Sequence, residues 1–221
     1  MIPLQDKSSS IFPFWVVLLI AINVYVFYLE LTAVSPEVLI TRFALIPAQI
    51  SLLQPLSLLT FVTNQFLHGG FIHIISNMWF LWIFGDNVEE GLGFILFPVI
   101  YFLAGISGNL LQYFLSPTSQ IPIIGASGAI AGILGSYYAL YPSNRVKTLV
   151  FIIIFITIIE IPASFMLFYW FILQLFSSAV SIADTTASTT GGVAYFAHIG
   201  GFVLGWIISK LVKRRSRQLP A

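Results

Sequence analysis

Six long apolar runs restrict the fold of this chain more than any other feature of its sequence. A helix needs about 20 consecutive apolar residues to cross the hydrocarbon core of a bilayer, which is about 30 Å thick. Runs of this kind occupy residues 12–34, 67–84, 94–115, 125–141, 162–178 and 193–212. Only 8% of the residues are charged, far below the fraction in soluble domains. We therefore expect an all-α membrane protein, built as a bundle of six transmembrane helices.

The segment between the fourth and fifth predicted spans is also apolar, but it contains Glu160 and Pro162. Proline is favoured in the first turn of a helix, so we begin the fifth span at Pro162. We interpret residues 146–161 as an apolar loop or interfacial segment. This choice places Glu160 near a membrane surface, where a carboxylate costs less than in mid-bilayer. Because no repeat or linker divides the chain, we expect one domain over residues 1–221.

Basic residues near the span ends predict the orientation, because cytoplasmic loops carry an excess of Lys and Arg. They lie just after the fourth span and at or after the end of the sixth, as Arg145, Lys147, Lys210, Lys213, Arg214, Arg215 and Arg217. With six spans, both termini are then cytoplasmic. The first run is longer than a signal peptide and has no cleavage site, so we expect it to remain as a span. A multi-pass protein of this minimal form indicates a prokaryotic plasma membrane.

Polar side chains inside the apolar runs are the main indication of a function. His68, His73 and Asn77 lie in the second span, Ser127 begins the fourth, and His198 lies in the sixth. Intramembrane polar groups usually face the bundle or a water-filled cavity. Spans two, four and six run in one direction, and each carries these residues near its N-terminal end. The shared depth predicts one site that opens to the extracytoplasmic side.

The residue types in this set suit nucleophilic catalysis. A serine hydroxyl becomes a good nucleophile when a base takes its proton, and histidine is the usual base. Ser127 and His198 are therefore a candidate pair, while His73 and Asn77 could donate hydrogen bonds to an oxyanion. Backbone N–H groups at the start of the fourth helix could do the same.

Glycines on the fourth and sixth spans would let the candidate pair approach. Gly128 adjoins Ser127, and Gly201 and Gly205 share a helix face with His198. Taken singly, each signal has a plainer explanation. A serine among glycines and alanines usually serves packing, and a lone histidine often bonds a backbone carbonyl. We interpret Asn109 and Gln174 as ordinary interhelical hydrogen bonds.

Several function classes fit the sequence poorly. The nine basic residues nearly balance the eight acidic ones, so the charge does not indicate nucleic-acid binding. The absence of Cys excludes disulfides and thiol nucleophiles. His68 and His73, five positions apart, would point about 140° apart on a helix and make a poor metal-chelating pair. No HExxH motif occurs either. We expect neither a metal nor a cofactor.

Four stretches together resemble the rhomboid intramembrane serine proteases. They cover residues 66–93, 123–142, 161–174 and 195–205, in that order along the chain. Their motifs are HxxxxHxxxN from His68 to Asn77, the GASG of Gly125 to Gly128, and the AHIGGFVLG that ends at Gly205. GxSG alone is a weak signal, but the combination is highly specific.

The resemblance implies that Ser127 is the nucleophile and His198 the general base, as a dyad without an acidic third member. It implies that His73 and Asn77 stabilise the oxyanion, and that His68 packs and hydrogen-bonds beside the site. Gly125, Gly128, Gly201 and Gly205 match structural glycines, and Glu89 matches a structural glutamate. The family often has an aromatic residue one turn after the serine, where this chain has Ala131. The Trp-Arg motif of the first external loop is also missing.

By the same resemblance, the substrates are single-span or polytopic membrane proteins within the lipid bilayer, cut in or near a transmembrane segment. The fifth helix and residues 179–192 would then act as a lateral gate and lid. Two alternatives remain open. One is a non-proteolytic rhomboid-like protein that binds transmembrane clients, against which the intact set of polar residues argues. The other is a small transporter, which should carry polar residues through to the cytoplasmic side.

Overall fold

The computed structural model describes residues 1–7, 9–152, 155–183 and 194–216. Its α-helices are α1 (Phe14–Thr32), α2 (Pro36–Phe43), α3 (Thr60–Thr63), α4 (Phe71–Leu115), α5 (Ser127–Leu140), α6 (Ala163–Ala183) and α7 (Tyr195–Ser216). Its strands are β1 (Ile2–Gln5), β2 (Arg145–Ile152) and β3 (Phe155–Pro162). Short 3₁₀ turns at Pro47–Gln49, Pro55–Leu59 and Asn64–Phe66 shape the long segment between α2 and α4.

Three of the described helices are long and apolar enough to cross a membrane: α1, α4 and the Tyr195–Val212 part of α7. A shorter apolar stretch, Ala163–Ser177, lies within α6. The protein is mostly helical, and its long apolar helices are consistent with the membrane architecture expected from hydropathy.

Helix α4 joins the second and third predicted spans without a loop. Its 45 residues would extend about 68 Å if straight, more than twice the hydrocarbon thickness. The break is at Gly93, whose φ of 79° lies outside the helical region and is easily adopted only by glycine. Our prediction that the second span ends at residue 84 was wrong. In the part of the helix beyond residue 84, Glu89 is buried and its carboxylate accepts hydrogen bonds from the N–H groups of Trp15 and Val16.

The described parts of the expected loop at residues 146–161 lie in two antiparallel strands, so the chain is not purely α-helical. Strand β2 pairs with β3 with Lys147 opposite Glu160, and β1 adds to the other edge of β2. The segment is rich in Val, Ile, Thr and Phe, which favour strands. Val146 and Thr148 are buried while Lys147 between them is exposed, as alternation in a strand requires. Glu160 is exposed, away from the helix core.

The other helix ends also differ from prediction. Helix α1 is shorter than residues 12–34, and α5 is shorter than residues 125–141. Helix α6 follows the last residue of β3, Pro162, and extends past residue 178, while α7 extends past residue 212. Of the predicted lid at residues 179–192, only the part within α6 is described, and residues 184–192 lie outside the described residues. Arg217 of the basic tail lies outside them too.

Helices α4, α5 and α7 form the core that positions the site. Glycines bring α5 and α7 into backbone contact: a Cβ on Gly201 would overlap the carbonyl oxygen of Gly128, and one on Gly205 would overlap that of Gly132. Such contacts between small residues replace the hydrophobic driving force that lipid cannot supply. The relative positions of α5 and α7 are therefore closely determined by their backbones.

Candidate active site

Ser127 is the first residue of α5, directly after a turn that only glycine makes without strain. Gly125 has a φ of 119°, and its N–H donates to the carbonyl oxygen of Asn64 at 2.9 Å. We had predicted that the helix starts at residue 125. The conformation of Gly125 prevents this, and the helix starts at Ser127. The N–H groups in the first turn of a helix have no acceptor within it, so the start of α5 is suited to an anion.

His198 lies in the first turn of α7, and its ring meets the Ser127 hydroxyl. The distance from Oγ of Ser127 to Nε2 of His198 is 2.7 Å, a good hydrogen bond. The imidazole is 9% exposed, whereas Ser127 is half-buried. The preceding residue, Ala197, is in close contact with α4, because a Cβ on Gly108 would overlap the Ala197 carbonyl. The contacts of α7 with α5, through Gly201 and Gly205, and with α4, through Gly108, thus hold His198 beside Ser127.

Helix α6 contacts the other side of the imidazole. Nδ1 of His198 lies 2.8 Å from Oε1 of Gln174, and the Trp170 ring is 5.9 Å from the imidazole at an interplanar angle of 32°. Gln174 does make an interhelical bond, as expected, but its partner is the candidate base. Sequence reasoning missed this role. The available signal was the spacing of Trp170 and Gln174, which share one face of a helix in the stretch that resembles the family.

His73 occupies the first turn of α4 and faces the turn before Ser127. Its Nδ1 accepts a hydrogen bond from the N–H of Gly69 at 3.3 Å, so the neutral ring carries its proton on Nε2. That Nε2 lies against Gly125, where an added Cβ would be 2.7 Å from it. His73 therefore presents an N–H donor at the entrance to α5.

Asn77 lies one turn further along α4 and is 7% exposed. Its Nδ2 donates to Nε2 of His68 at 3.0 Å and lies 3.6 Å from the position of an added Cβ on Gly125. The amide has a second N–H, so it can bond His68 and still donate into the site. Asn77, His73 and the turn before Ser127 thus converge.

His68 precedes α4, so our placement of it on the second span was wrong. Because it is not helical, the 140° argument does not apply, and its ring lies 5.1 Å from that of His73. Both its nitrogens are used: Nδ1 contacts the Phe66 carbonyl oxygen at 3.3 Å, and Nε2 accepts from Asn77. Its backbone N–H donates to the Glu30 carboxylate of α1 at 3.2 Å. His68 is placed to orient Asn77.

The predicted structural glycines fall into two groups. Gly201 and Gly205 make the backbone contacts between α7 and α5. Gly128 is less crowded, because an added Cβ would be 3.5 Å from the Ala197 carbonyl oxygen. Asn109, also on α4, exchanges hydrogen bonds of 2.9 Å and 3.2 Å with Asn64, which holds the loop that leads to α4.

Comparison with known proteins identifies a family. A model of the Rhomboid domain matches residues 55–215, most of the chain. Rhomboid protein 1, mitochondrial, of Saccharomyces cerevisiae is 30% identical over 174 residues, which cover 75% of this chain and 46% of that protein. Presenilin-associated rhomboid-like protein, mitochondrial, of Homo sapiens is 29% identical over 197 residues, which cover 86% and 46%.

The chain spans less than half the length of these curated relatives. Both are mitochondrial by name, so they do not support our expectation of a prokaryotic plasma membrane. The matched region contains the whole of each of the four stretches on which the resemblance was based. From the extent of this match, the chain belongs to the rhomboid family.

Proposed function

We propose that this chain is an intramembrane serine endopeptidase that hydrolyses a peptide bond in or beside the transmembrane segment of another membrane protein. The observation that carries the proposal is the 2.7 Å hydrogen bond between Ser127 Oγ and His198 Nε2 at the start of α5. A serine bonded to an imidazole nitrogen is the arrangement that activates the hydroxyl for attack.

In this mechanism Oγ of Ser127 attacks the carbonyl carbon of the scissile bond, and its proton passes to Nε2 of His198. The tetrahedral intermediate then collapses, the C–N bond breaks, and His198 gives the proton to the leaving amine. Water hydrolyses the resulting ester while His198 again accepts and returns a proton. The chain's own residues supply every acid and base in these steps.

The oxyanion of the intermediate would lie where α5 begins. The backbone N–H of Ser127, the Nε2–H of His73 and the amide of Asn77 are the donors we assign to it. All are neutral donors held by other parts of the fold. Such preorganised donors stabilise developing charge without reorganising during the reaction.

The proposal includes six spans, with α4 divided at Gly93 and with α5 and α6 counted as crossings. Both termini are then cytoplasmic, and the site opens to the extracytoplasmic side. Helix α5 has 14 residues and is about 21 Å long, roughly 10 Å shorter than the hydrocarbon core. If the C-terminal end of α5 lies at the cytoplasmic surface, as proposed, this short length supports a position of Ser127 below the outer membrane surface, and water would have to reach it through a cavity.

A substrate helix hides its carbonyls in internal hydrogen bonds, so it must unwind locally before attack. Family membership implies small residues at the cut and helix-destabilising residues beyond it. It also implies that α6 and residues 179–192 admit the substrate laterally. These features make single-span or polytopic membrane proteins the substrates we propose.

The decisive experiment uses the purified protein in detergent, a fluorophosphonate probe and a labelled single-span substrate with small residues followed by a helix-breaking segment. We expect wild type to cleave the substrate and to take up the probe on Ser127. Ser127→Ala and His198→Ala should do neither. Ser76→Ala is the matched control, because Ser76 is exposed and its Oγ donates to the Ile72 carbonyl oxygen.

Cleavage or probe uptake that persists in Ser127→Ala would overturn the assignment. Wild-type protein that retains the labelled substrate without cutting it, and does not react with the probe, would instead indicate a protein that binds transmembrane clients.

A further inference from the structure

We propose that Gln174 is a positioning residue for the His198 imidazole, so that α6 completes the catalytic arrangement that α5 and α7 begin. The inference rests on the proposed protease function. Oε1 of Gln174 lies 2.8 Å from Nδ1 of His198, and Nε2 of the same ring lies 2.7 Å from Oγ of Ser127. The imidazole is thus held at both nitrogens by side chains from two other helices.

The bond to Gln174 determines which nitrogen carries the proton. An amide oxygen only accepts hydrogen bonds, so Nδ1 of His198 must donate, and the neutral ring then has a lone pair on Nε2. This tautomer is the one that can take the Ser127 proton. In the other tautomer Nε2 would carry the N–H, so the nitrogen that faces Ser127 could not receive its proton.

Trp170 supports the same ring from the same helix. It lies four residues before Gln174, one turn away on the same face, and its ring is 5.9 Å from the imidazole. The family's usual aromatic residue after the serine is replaced here by Ala131, which is fully buried. In this chain the nearer aromatic ring, that of Trp170, and the Nδ1 acceptor therefore both come from α6.

Helix α6 is otherwise a peripheral element of the fold. Phe165, Phe168 and Phe176 are 60%, 53% and 69% exposed, in contrast to the glycine contacts that join α7 to α5. Its contact with α7 includes the stacked rings of Phe171 and Phe202, 4.7 Å apart. A movement of α6 would therefore change the support of the base while leaving Ser127 in place.

When His198 takes the proton from Ser127, both ring nitrogens become donors and the ring becomes positive. Oε1 of Gln174 can continue to accept from Nδ1, and a hydrogen bond to a charged donor is stronger than one to a neutral donor. Gln174 therefore stabilises the charged form that exists in the transition state. This predicts an effect on kcat more than on KM.

The first test compares three variants on α6. Gln174→Leu removes the acceptor and should lower kcat and the rate of fluorophosphonate uptake about 10- to 100-fold, with KM unchanged. Gln174→Glu keeps an acceptor and adds a negative charge, so it should retain activity and shift the acid limb of the pH–rate profile to higher pH. Leu173→Ala, on an exposed neighbouring residue, should match wild type.

Other titratable groups near the imidazole must be kept constant in the pH comparison. Among the described residues these are His73 on α4 and Tyr195 on α7, whose ring centroid is 6.3 Å from that of His198. Both are unchanged in every variant above. A shift of the pH–rate profile that occurs only in Gln174→Glu is therefore caused by the change at position 174.

The second test does not need catalysis. The chain has three histidines, so ¹⁵N-histidine labelling gives a simple spectrum, and His198→Asn assigns the His198 signals. We expect the Nδ1–H tautomer of His198 in wild type and a mixture of tautomers in Gln174→Leu. An Nε2–H tautomer in wild type would overturn the inference, whether or not the protein cleaves any substrate.

The two proposals fail in different ways. If Ser127→Ala retains activity, the protease assignment fails, but the tautomer measurement still tests Gln174. If wild type and Ser127→Ala behave as expected while Gln174→Leu keeps the wild-type kcat per folded protein, only the role of Gln174 is wrong. A Gln174→Leu protein that does not fold would leave Gln174→Glu and the wild-type spectrum to decide.

Discussion

At the end of the bundle that holds Ser127, helices meet through glycines, and the side chains of His198 and His73 are held by neutral hydrogen bonds, with one carboxylate, Glu30, accepting only the backbone N–H of His68. At the opposite end, the carboxylates of Glu89 and Asp6 connect neighbouring segments by hydrogen bonds. Glu89 accepts two N–H groups at the start of α1, and Asp6 accepts from Tyr137 and Asn87.

The difference follows from what each end must hold in place. At the opposite end, a carboxylate tolerates small shifts because it accepts several donors over a range of angles. At the site end, attack requires the hydroxyl, base and oxyanion donors to stay within a fraction of an ångström of one geometry. Backbone contacts through glycine provide that precision, so substitutions there should affect activity, whereas substitutions at the opposite end should affect stability.

The largest expected effect comes from Gly201→Ala. The new methyl group would overlap the Gly128 carbonyl oxygen, so α7 must move away from α5 and carry His198 with it. We expect the rate of fluorophosphonate uptake per folded protein to fall about 100-fold or more, since a shift near 1 Å is enough for that loss. Gly128→Ala is the matched control on the facing helix, and it should keep most of the activity because its methyl group has room. Equal losses in both variants would contradict this view of the interface.

A smaller loss is expected for Gly125→Ala. Its φ of 119° strains an alanine, and the new Cβ would be 2.7 Å from Nε2 of His73, which must then move. We expect kcat to fall about 10- to 100-fold, in line with strain of about 1–3 kcal/mol at such a position. Gly70→Ala separates the two causes, because Gly70 has a φ of 149° but no atom within 4 Å of an added Cβ. If Gly70→Ala loses as much activity as Gly125→Ala, backbone strain is enough to explain the loss, and the contact with His73 is not needed.

At the opposite end, Glu89→Gln should reduce stability without changing the chemistry. The N–H groups of Trp15 and Val16 bond different oxygens of the carboxylate, and glutamine replaces one of these oxygens by an NH₂ group, which cannot accept. We expect the free energy of unfolding to fall by about 1–2 kcal/mol, measured by denaturation in detergent micelles, with kcat per folded protein unchanged. Glu90→Gln is the control, because Glu90 bonds Ser10 at an exposed position and should be nearly neutral. A loss of kcat in Glu89→Gln would show that the two ends are coupled.

The smallest effect concerns the pH dependence of stability. Burial raises the pKa of Asp6 from 3.8 to about 6, outweighing the hydrogen bond from Tyr137. The folded protein therefore binds a proton at Asp6 more tightly than the unfolded chain, so this carboxyl makes the free energy of unfolding decrease as pH rises from about 4 to 6.

Denaturation midpoints at pH 4.5 and 7 in detergent should show this contribution, and Asp6→Asn should reduce the dependence. Asp86, whose charge also acts on Asp6, is present in both proteins. An identical pH dependence in wild type and Asp6→Asn would show that the Asp6 carboxyl is not responsible.

Much of the site could be predicted because its residues stand out against an apolar background. His73, Asn77, Ser127 and His198 were all chosen from polarity and position near helix starts, and the structure brings them together around the turn at Gly125. The resemblance to rhomboid proteins, drawn from the same motifs, is confirmed by the family match. Their catalytic roles remain the proposal made above.

The errors have identifiable causes. Hydropathy marks where a chain leaves apolar surroundings, so it ended the second span at residue 84, although α4 continues to Gly93. Hydropathy also does not distinguish an apolar loop from a strand, and the described residues of the predicted loop lie in β2 and β3, which pair with each other. His68 was assigned to a helix that begins three residues later.

The sequence by itself determined the class of protein, the family and the small set of polar residues, because an apolar chain can hide few polar groups and each must have a partner. Only the tertiary structure decided which partner each one has. Gln174 reads as one more polar residue on an apolar helix until α6 and α7 are packed together, when its amide oxygen meets Nδ1 of His198. Hydrogen-bond partners depend on distances of a few ångströms between distant parts of the chain, and no local pattern in the sequence encodes those distances.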